Sequence, residues 1–263
     1  MKIENLFSVR SKNIVITGGS SGIGRMMAEG FCANGANVVI ASRNFDQCHI
    51  AAQRINAAYP EGQCVPFQCD VANPAHIEQF ANFLAKHFAN LDVLINNAGK
   101  TWGAPFDSFP LHAWQSVLDV NVSAPFLLVQ QLKEQLLKSA SMESPGRIIN
   151  IGSVVGIRPI TNHAFSYGAS KAAIHHLTRM LANEFAPHHI TVNALAPGAF
   201  PSRMMAKETE SDVARQAILD QTPLRRLGQA DDIISAAIFL SSAAGAFITG
   251  AIVPVDGGMA VSV

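Results

Sequence analysis

Short apolar segments alternate along the chain with longer segments in which apolar residues recur every three or four positions. The short segments are rich in Val, Ile and Leu and leave few polar positions on either side. This pattern is typical of strands that are buried on both faces of a sheet. We predict strands at residues 13–17, 37–41, 64–68, 91–95, 147–151, 190–195 and 251–255.

The longer segments show the periodicity of helices that pack on such a sheet. We predict them at residues 23–34, 46–58, 74–88, 112–137, 166–185, 203–220 and 231–241. The alternation indicates a parallel sheet with right-handed crossovers and helices on both faces. Because no linker, repeat or low-complexity segment divides the chain, we expect residues 1–263 to form a single doubly wound α/β domain with a seven-stranded parallel sheet.

One uncharged segment, between Asp232 and Asp256, is long enough to cross a bilayer. Serine, glycine, threonine and proline residues interrupt it, which favours a buried helix followed by a buried strand. The N-terminal residues lack the apolar core of a signal peptide, and the four cysteines include no C-x-x-C pair. We therefore expect a cytoplasmic protein with reduced thiols and no membrane partner.

Charge and composition exclude several classes of function. The 263 residues include 19 Lys or Arg and 19 Asp or Glu, and charged residues make up only 14% of the chain. Such a chain has no electrostatic field for nucleic acid or anionic lipid, and its low charge suggests much buried surface and an oligomer. The histidines show no metal-ligand spacing, so we expect no metal. We interpret five of them as surface or interface residues: His163, His175, His176, His188 and His189.

A glycine-rich segment follows the first predicted strand and precedes a helix. Gly18 allows a tight turn there, Gly22 lets the backbone approach a pyrophosphate, and Gly24 lets the helix pack closely on the strand. Ligands of doubly wound sheets bind beyond the carboxyl ends of the strands, where this segment lies. The alternative is an ordinary glycine-rich turn, but the strand before it and the helix after it favour a dinucleotide site.

Tyr167 and Lys171 are four residues apart, so a helix places both side chains on one face. A free phenol has a pKa of about 10, and a neighbouring ammonium group lowers it by favouring the phenolate. The pair therefore suits proton exchange with a substrate near neutral pH. A tyrosine and a lysine at this spacing are, however, often only a surface pair.

Three motifs follow one another along the chain: Gly18-x-x-x-Gly22-x-Gly24, Asn96-Asn97-Ala98-Gly99 and Tyr167-x-x-x-Lys171. Together they resemble the short-chain dehydrogenase/reductase family, and the resemblance extends from Asn13 to Gly258. It implies a Rossmann fold, a nicotinamide dinucleotide cofactor and a homotetramer.

The resemblance also implies four catalytic residues. Tyr167 is expected to exchange the proton, while Lys171 lowers the phenol pKa and holds the nicotinamide ribose. Ser153 is expected to hydrogen-bond the substrate oxygen, and Asn121 to hold a water in a proton relay to the lysine. The fourteen positions from Ser153 to Tyr167 exceed the commonest family spacing by one. We therefore expect the loop 154–166 to bulge and to reshape the substrate pocket.

The end of the second predicted strand distinguishes the two nicotinamide cofactors. It lacks the carboxylate with which NAD enzymes bind both ribose hydroxyls, and Arg43 can instead contact a 2′-phosphate, so we predict NADP(H). A solvated surface arginine is the alternative. The resemblance implies that Asp70 meets the adenine amino group and that the backbone of Val71 meets the ring, and a turn-forming aspartate is the alternative there. Ser202 stands where the family usually has threonine. The predicted cofactor-binding residues are Gly18, Ser20, Ser21, Gly22, Ile23, Gly24, Arg43, Asp70, Val71, Asn97, Ala98, Gly99, Tyr167, Lys171, Pro197, Gly198 and Ser202.

Within the family, the chain resembles 3-oxoacyl reductases, particularly those of the rhamnolipid-synthesis type, in segments 96–103 and 196–204. This implies an NADPH-dependent carbonyl reductase acting on a 3-oxoacyl thioester, with a mobile lid at about 200–220. Gluconate 5-dehydrogenases share the NNAG-x-x-WG segment, so a sugar or polyol dehydrogenase is the alternative, and an inactive NADP(H)-binding scaffold is a more remote one. The predicted substrate-binding residues are Trp102, Ser153, His163, Phe200 and Met204.

Overall fold

The computed structural model describes residues 2–159, 163–202, 205 and 211–261, and its strands form one parallel sheet. The strands are β1 (Asn13–Thr17), β2 (Asn37–Ser42), β3 (Gln63–Gln68), β4 (Val93–Asn96), β5 (Gly146–Ile151), β6 (Ile190–Pro197) and β7 (Ile252–Val255). Their order is β3-β2-β1-β4-β5-β6-β7 and reverses between β1 and β4. The predicted doubly wound α/β fold with seven parallel strands is confirmed.

Helices cover both faces of the sheet, and each face has its own apolar core. The helices are α1 (Ile3–Leu6), α2 (Gly22–Ala33), α3 (Phe45–Ala58), α4 (Pro74–His87), α5 (Leu111–Leu118), α6 (Ala124–Ser139), α7 (Phe165–Phe185), α8 (Asp212–Asp220) and α9 (Ala230–Ser241). Phe31 of α2 and Leu240 of α9 belong to one core, whereas Phe80 of α4 and Leu181 of α7 belong to the other. Burial on both faces explains why the strands are almost continuously apolar.

The long uncharged segment forms α9 and β7, as predicted, and not a membrane span. α9 buries Ile233, Ala237 and Leu240 against the sheet. In the part of the chain that the structure describes, no helix combines the length and the apolarity needed to cross a bilayer.

β4 begins at Val93 rather than at residue 91. The Asp92 carboxylate accepts the backbone N–H of Asn13 at 2.8 Å, and the N–H of Asp92 donates to the Asn13 carbonyl at 3.0 Å. The N–H of Leu91 donates to the Gln135 carbonyl of α6 at 3.1 Å. Leu91 is therefore buried, as predicted, but it is bound to a helix.

The single helix predicted at 112–137 contains a wide turn. α5 and α6 are joined by a π-helical segment, Asp119–Ser123, in which the N–H of Ala124 donates to the Asp119 carbonyl five residues earlier. Pro125 has no N–H and cannot donate to the carbonyl of Asn121, four residues before it. The turn places the side chain of Asn121 in the interior.

The helix predicted at 203–220 is confirmed for its second half only. α8 begins at Asp212, where the hydroxyl of Ser211 caps the helix by accepting the N–H of Ala214 at 3.1 Å. Residues 203, 204 and 206–210, which include much of the predicted lid, lie outside the described residues.

Candidate active site

The glycine-rich segment after β1 leads directly into α2. Gly18 and Gly22 have positive φ angles of 68° and 54°, which glycine adopts readily. A Cβ at Gly24 would lie 2.4 Å from the Asn97 Nδ2 and from the Gly18 carbonyl oxygen, so only glycine fits there. Ile23, in the first turn of α2, packs against the core.

The first turn of α2 is open to an anion. Within the described part of the chain, Ser21 at the N-cap makes no side-chain capping hydrogen bond. Among the described residues, a Cβ at Gly22 would contact only the Ser202 side chain, at 3.4 Å. Because the N–H groups of a first turn need partners and the helix dipole favours negative charge, this cradle fits the pyrophosphate of a dinucleotide.

The loop after β4 is bound to the end of β1. The backbone N–H groups of Asn97 and Ala98 both donate to the Thr17 hydroxyl at 3.0 Å, and Asn97 Nδ2 donates to the Thr17 carbonyl at 2.8 Å. A Cβ at Gly99 would lie 3.9 Å from Lys171 Nζ. The structure therefore brings the two predicted cofactor loops together at the order reversal. Sequence reasoning did not single out Thr17.

The ends of β2 and β3 carry the residues predicted to meet the adenosine. Arg43 is exposed, and the Ser20 hydroxyl donates to Ser42 Oγ at 3.1 Å close by. Asp70 Oδ1 accepts the N–H of Ala72 at 3.1 Å, so Asp70 does form a turn, and the neighbouring Val71 is buried. The turn contact is observed, and the adenine contact of Asp70 stays a prediction.

The loop after β6 lies at the same edge of the sheet. The N–H of Gly198, next to Pro197, donates to the Val255 carbonyl at 3.0 Å and attaches the loop to β7. Phe200 corrects a prediction, because its side chain is only 2% exposed and belongs to the core rather than to a substrate pocket. A Cβ at Gly228 would lie 2.4 Å from the Phe200 ring, so this glycine makes room for the ring.

Three predicted catalytic residues lie where α7 meets the end of β5. Lys171 is 4% exposed, its Nζ donates to the Ile151 carbonyl at 2.7 Å, and it lies 5.5 Å from the centre of the Tyr167 ring. Burial lowers the pKa of Lys171 to about 8. Ser153, two residues after Ile151, is also buried, and its Oγ accepts the N–H of Val155 at 3.4 Å.

Asn121 is connected to the same helix by hydrogen bonds. Its Oδ1 accepts the N–H of Lys100 at 2.8 Å, and its Nδ2 donates to the Lys100 carbonyl at 2.9 Å and to Ser170 Oγ at 2.8 Å. Ser170 Oγ donates in turn to the Tyr167 carbonyl at 2.7 Å. Ser170, which sequence reasoning missed, therefore links Asn121 to the first turn of α7.

His175 corrects the prediction that it is a surface or interface residue. Its side chain is 4% exposed, and its Nε2 accepts the backbone N–H of Ser153 at 3.4 Å. Burial and, to a lesser extent, the charge of Lys171 lower the pKa of His175 to about 4. The spacing of four residues from Tyr167 to Lys171 and from Lys171 to His175 was the signal that could have placed all three on one face.

Aromatic side chains cluster around Phe165, the first residue of α7. The ring of Phe165 lies edge-on to Phe106 and Phe109, with ring centres 5.7 and 5.9 Å apart. His163 lies 6.3 Å from Phe165, and its carbonyl accepts the N–H of Ala104 at 3.2 Å, two residues after the partly exposed Trp102. His163 therefore lies beside this aromatic cluster, and the substrate contacts of His163 and Trp102 stay predictions. Met204, also predicted to bind substrate, lies outside the described residues.

Comparison with known proteins identifies the family. A family model described as enoyl-(acyl carrier protein) reductase matches residues 18–260. A rhamnolipids biosynthesis 3-oxoacyl-[acyl-carrier-protein] reductase of Pseudomonas aeruginosa is 42% identical over 96% of this chain and 97% of its own length. The chain belongs to the short-chain dehydrogenase/reductase family. As a member of this family it is an NAD(P)-dependent oxidoreductase, as predicted.

Two further relatives agree with this assignment. The solved structure of the Pseudomonas aeruginosa RhlG/NADP active-site complex superposes with a TM-score of 0.94 at 42% identity, covering 98% of this chain and 99% of that chain. A 5-keto-D-gluconate 5-reductase of Escherichia coli is 34% identical over 99% of this chain and 100% of its own length. The predicted NADP(H) cofactor agrees with the NADP complex. The activities named for the 3-oxoacyl reductase and the 5-keto-D-gluconate reductase differ in substrate.

We expect acid to destabilise the wild-type fold more steeply than the His175→Gln variant. The pKa of an imidazole is about 6.5 in an unfolded chain, whereas that of folded His175 is about 4, so the unfolded state binds the proton first as the pH falls. The free energy of unfolding therefore decreases from pH 6.5 towards pH 4, by up to about 3 kcal/mol from this group.

Urea unfolding at several pH values between about 7 and 4.5 measures this difference. The His176→Gln variant is the matched control, because His176 is the exposed neighbour on the same helix and should keep the wild-type slope. Identical pH dependence in wild type and His175→Gln contradicts the prediction.

Proposed function

We propose that the chain is an NADPH-dependent carbonyl reductase that converts a 3-oxoacyl thioester to the 3-hydroxyacyl thioester. The observation that carries this proposal is the cluster of Phe106, Phe109 and Phe165 at the start of α7, the helix that carries Tyr167, because aromatic rings suit an alkyl chain. The 42% identity to a 3-oxoacyl reductase over nearly the whole chain supports the same substrate class.

NADPH, when bound, would supply the hydride for the carbonyl carbon in the proposed reaction. Tyr167 donates its phenolic proton to the carbonyl oxygen, and the ammonium group of Lys171 stabilises the phenolate that remains. The hydroxyl of Ser153 hydrogen-bonds the same oxygen as negative charge develops on it. Asn121, acting through Ser170, fixes the first turn of α7 and with it the position of Tyr167.

The preference for NADPH over NADH is assigned to the end of β2. Arg43 is exposed there next to the hydroxyls of Ser20 and Ser42, and the strand ends without a carboxylate that would repel a 2′-phosphate. A guanidinium group binds phosphate through two parallel N–H donors. The glycine segment, the loop after β4 and residues Pro197, Gly198 and Ser202 would hold the rest of the cofactor.

We also propose that the chain assembles as a homotetramer in the cytoplasm. Phe126 of α6 and Met180 of α7 expose large apolar side chains, about half of each, on two helices that pack against the same face of the sheet. Apolar patches on a folded chain commonly mark subunit contacts. We assign the contacts to the helices around 112–137 and 166–185 and to the region 231–255.

The four cysteines are buried and form no disulfide bonds, which agrees with a reducing compartment.

A polyol dehydrogenase is the second candidate function. The 34% identity to a 5-keto-D-gluconate 5-reductase favours it, and Trp102 could stack on a sugar. A sugar site needs several donors and acceptors for hydroxyl groups, however, and beyond Ser153 and Tyr167 the sequence offers only Asn162, His163 and Ser202.

An inactive NADP(H)-binding scaffold is a more remote alternative, because all four catalytic positions are filled. Any turnover of NADPH with a ketone excludes it.

We expect Tyr167→Phe to lower kcat by about 10²–10⁴-fold, the usual contribution of a general acid, and to leave NADPH binding almost unchanged. Lys171→Ala should impair both, because Lys171 serves the phenol and the cofactor. Steady-state rates and fluorescence titration with NADPH measure the two effects. Tyr59→Phe, at the chain's other tyrosine, is the matched control, and near-normal kcat in Tyr167→Phe would refute the proton-donor assignment.

We expect kcat/KM to be higher with NADPH than with NADH, and Arg43→Ala to remove most of that preference. A charge-assisted contact to phosphate is worth roughly 1.5–3 kcal/mol, or about one to two decades in affinity. Arg54→Ala, an exposed arginine of α3, should leave the ratio intact. An unchanged ratio in Arg43→Ala, or equal rates with both cofactors in wild type, rejects this assignment.

We expect the mass in solution to be four times that of the 28.0 kDa chain. Light scattering coupled to size-exclusion chromatography at micromolar concentration measures it. Phe126→Asp should reduce the mass because it places a charge in a predicted subunit contact, whereas Met142→Asp, on an exposed loop outside the assigned contacts, should not. A monomeric wild type is incompatible with the proposed assembly.

We expect kcat/KM for 3-oxoacyl esters to rise severalfold as the acyl chain lengthens by one or two carbons and then to level off. Each buried methylene is worth about 0.8 kcal/mol. Phe165→Ala should weaken this dependence on chain length, whereas Phe7→Ala, equally exposed at 42%, should not. The same assay includes 5-ketogluconate and related ketoses, and a clear preference for these, or no dependence on length, decides for the polyol alternative.

A further inference from the structure

His175 lies directly behind Ser153. Its Nε2 accepts the Ser153 N–H at 3.4 Å, and the two residues are 22 positions apart in the sequence. His175 belongs to α7, which carries Tyr167, whereas Ser153 follows β5. The hydrogen bond therefore connects two parts of the chain that both contribute to the proposed reaction.

Two glycines make room for the imidazole of His175. A Cβ at Gly152 would lie 2.0 Å from its Nε2, and a Cβ at Gly156 would lie 2.8 Å from its Cε1. Neither glycine is among those with a positive φ in the described part of the chain. The close approach of the ring therefore requires glycine at position 152, and at position 156 the ring and the backbone of Lys171 together require it.

α7 also holds the neighbouring backbone through Lys171. Lys171 Nζ donates to the Ile151 carbonyl. The Lys171 backbone would lie 2.6 Å from a Cβ at Gly156. Ser153 has an extended backbone, with φ −170° and ψ 156°. Because its N–H is held by the imidazole, the direction in which its hydroxyl leaves the backbone depends on where that ring lies.

We propose that His175 is a positioning residue for Ser153 and that it acts by accepting the Ser153 N–H at Nε2. The imidazole itself contacts neither substrate nor cofactor in this proposal. A neutral ring is required, and burial next to Lys171 keeps it neutral near pH 7. The inference rests on the proposed role of Ser153, and it does not depend on which carbonyl compound is the substrate.

Three substitutions of His175 distinguish the effect of the hydrogen bond from the effect of packing. Glutamine can place its Oε1 near the position of Nε2, asparagine keeps a polar group only near Nδ1, and leucine fills similar space without an acceptor. We expect His175→Leu and His175→Asn to lower kcat about tenfold, the contribution of one hydrogen bond, and His175→Gln to retain most of the activity. The Kd for NADPH should remain unchanged in all three, and His176→Leu is the control on the exposed face.

A double-substitution cycle with Ser153→Ala provides a readout that a purely structural role would not change. If His175 acts through the Ser153 hydroxyl, His175→Leu should cause no further loss of kcat in the Ser153→Ala background. An additional tenfold loss in that background overturns the proposal. Wild-type kcat in both His175→Leu and His175→Asn also overturns the proposal. An equal loss of kcat in the His175→Gln and His175→Leu variants overturns it as well.

The same measurements distinguish this inference from the one on which it rests. Full activity in Ser153→Ala means that the role of Ser153 itself is wrong. An inactive Ser153→Ala beside a fully active His175→Leu refutes only the positioning role. If the Leu variant does not fold, the comparison of Gln with Asn still decides, since both amides are polar and differ in where they place the acceptor.

Discussion

The hydrogen bonds between Thr17 and the backbone of Asn97 and Ala98 are the junction on which the site depends. Thr17 ends β1 and Asn97 follows β4, so these bonds join the two strands between which the sheet order reverses. Asn97 Nδ2 occupies the space beside Gly18 and Gly24 that a side chain would need. The cradle for the cofactor and the loop that leads to the catalytic residues therefore have a fixed relative position.

Features with a local signal could be predicted from the sequence. β1 was predicted with its observed limits because Ile14, Val15 and Ile16 are fully buried between two layers of helices, and such a segment reads as an apolar run. The pairing of Tyr167 with Lys171 follows from helical spacing alone. The glycine segment was recognisable because its flanking strand and helix were also visible in the pattern.

The features that escaped prediction depend on residues far apart in the chain. Phe200 turns into the core because Gly228 leaves space for its ring, and His175 is buried because Gly152 and Gly156 do the same for its imidazole. A single sequence does not show which glycine faces which side chain, so these positions require the three-dimensional structure.

The π-helical segment Asp119–Ser123 makes this part of the chain sensitive to changes in length. A π-helical turn contains one residue more than an α-helical turn, and successive residues of an α-helix are rotated by about 100°. Because the wider turn covers about the same rotation as the α-helical turn it replaces, deleting one residue here would restore a regular helix and leave α5 and α6 in nearly the same orientation. Ala113 and Val117 of α5 would stay in the core, whereas the direction of the Asn121 side chain within the segment would change. The position of Asn121 therefore depends on the number of residues in this segment.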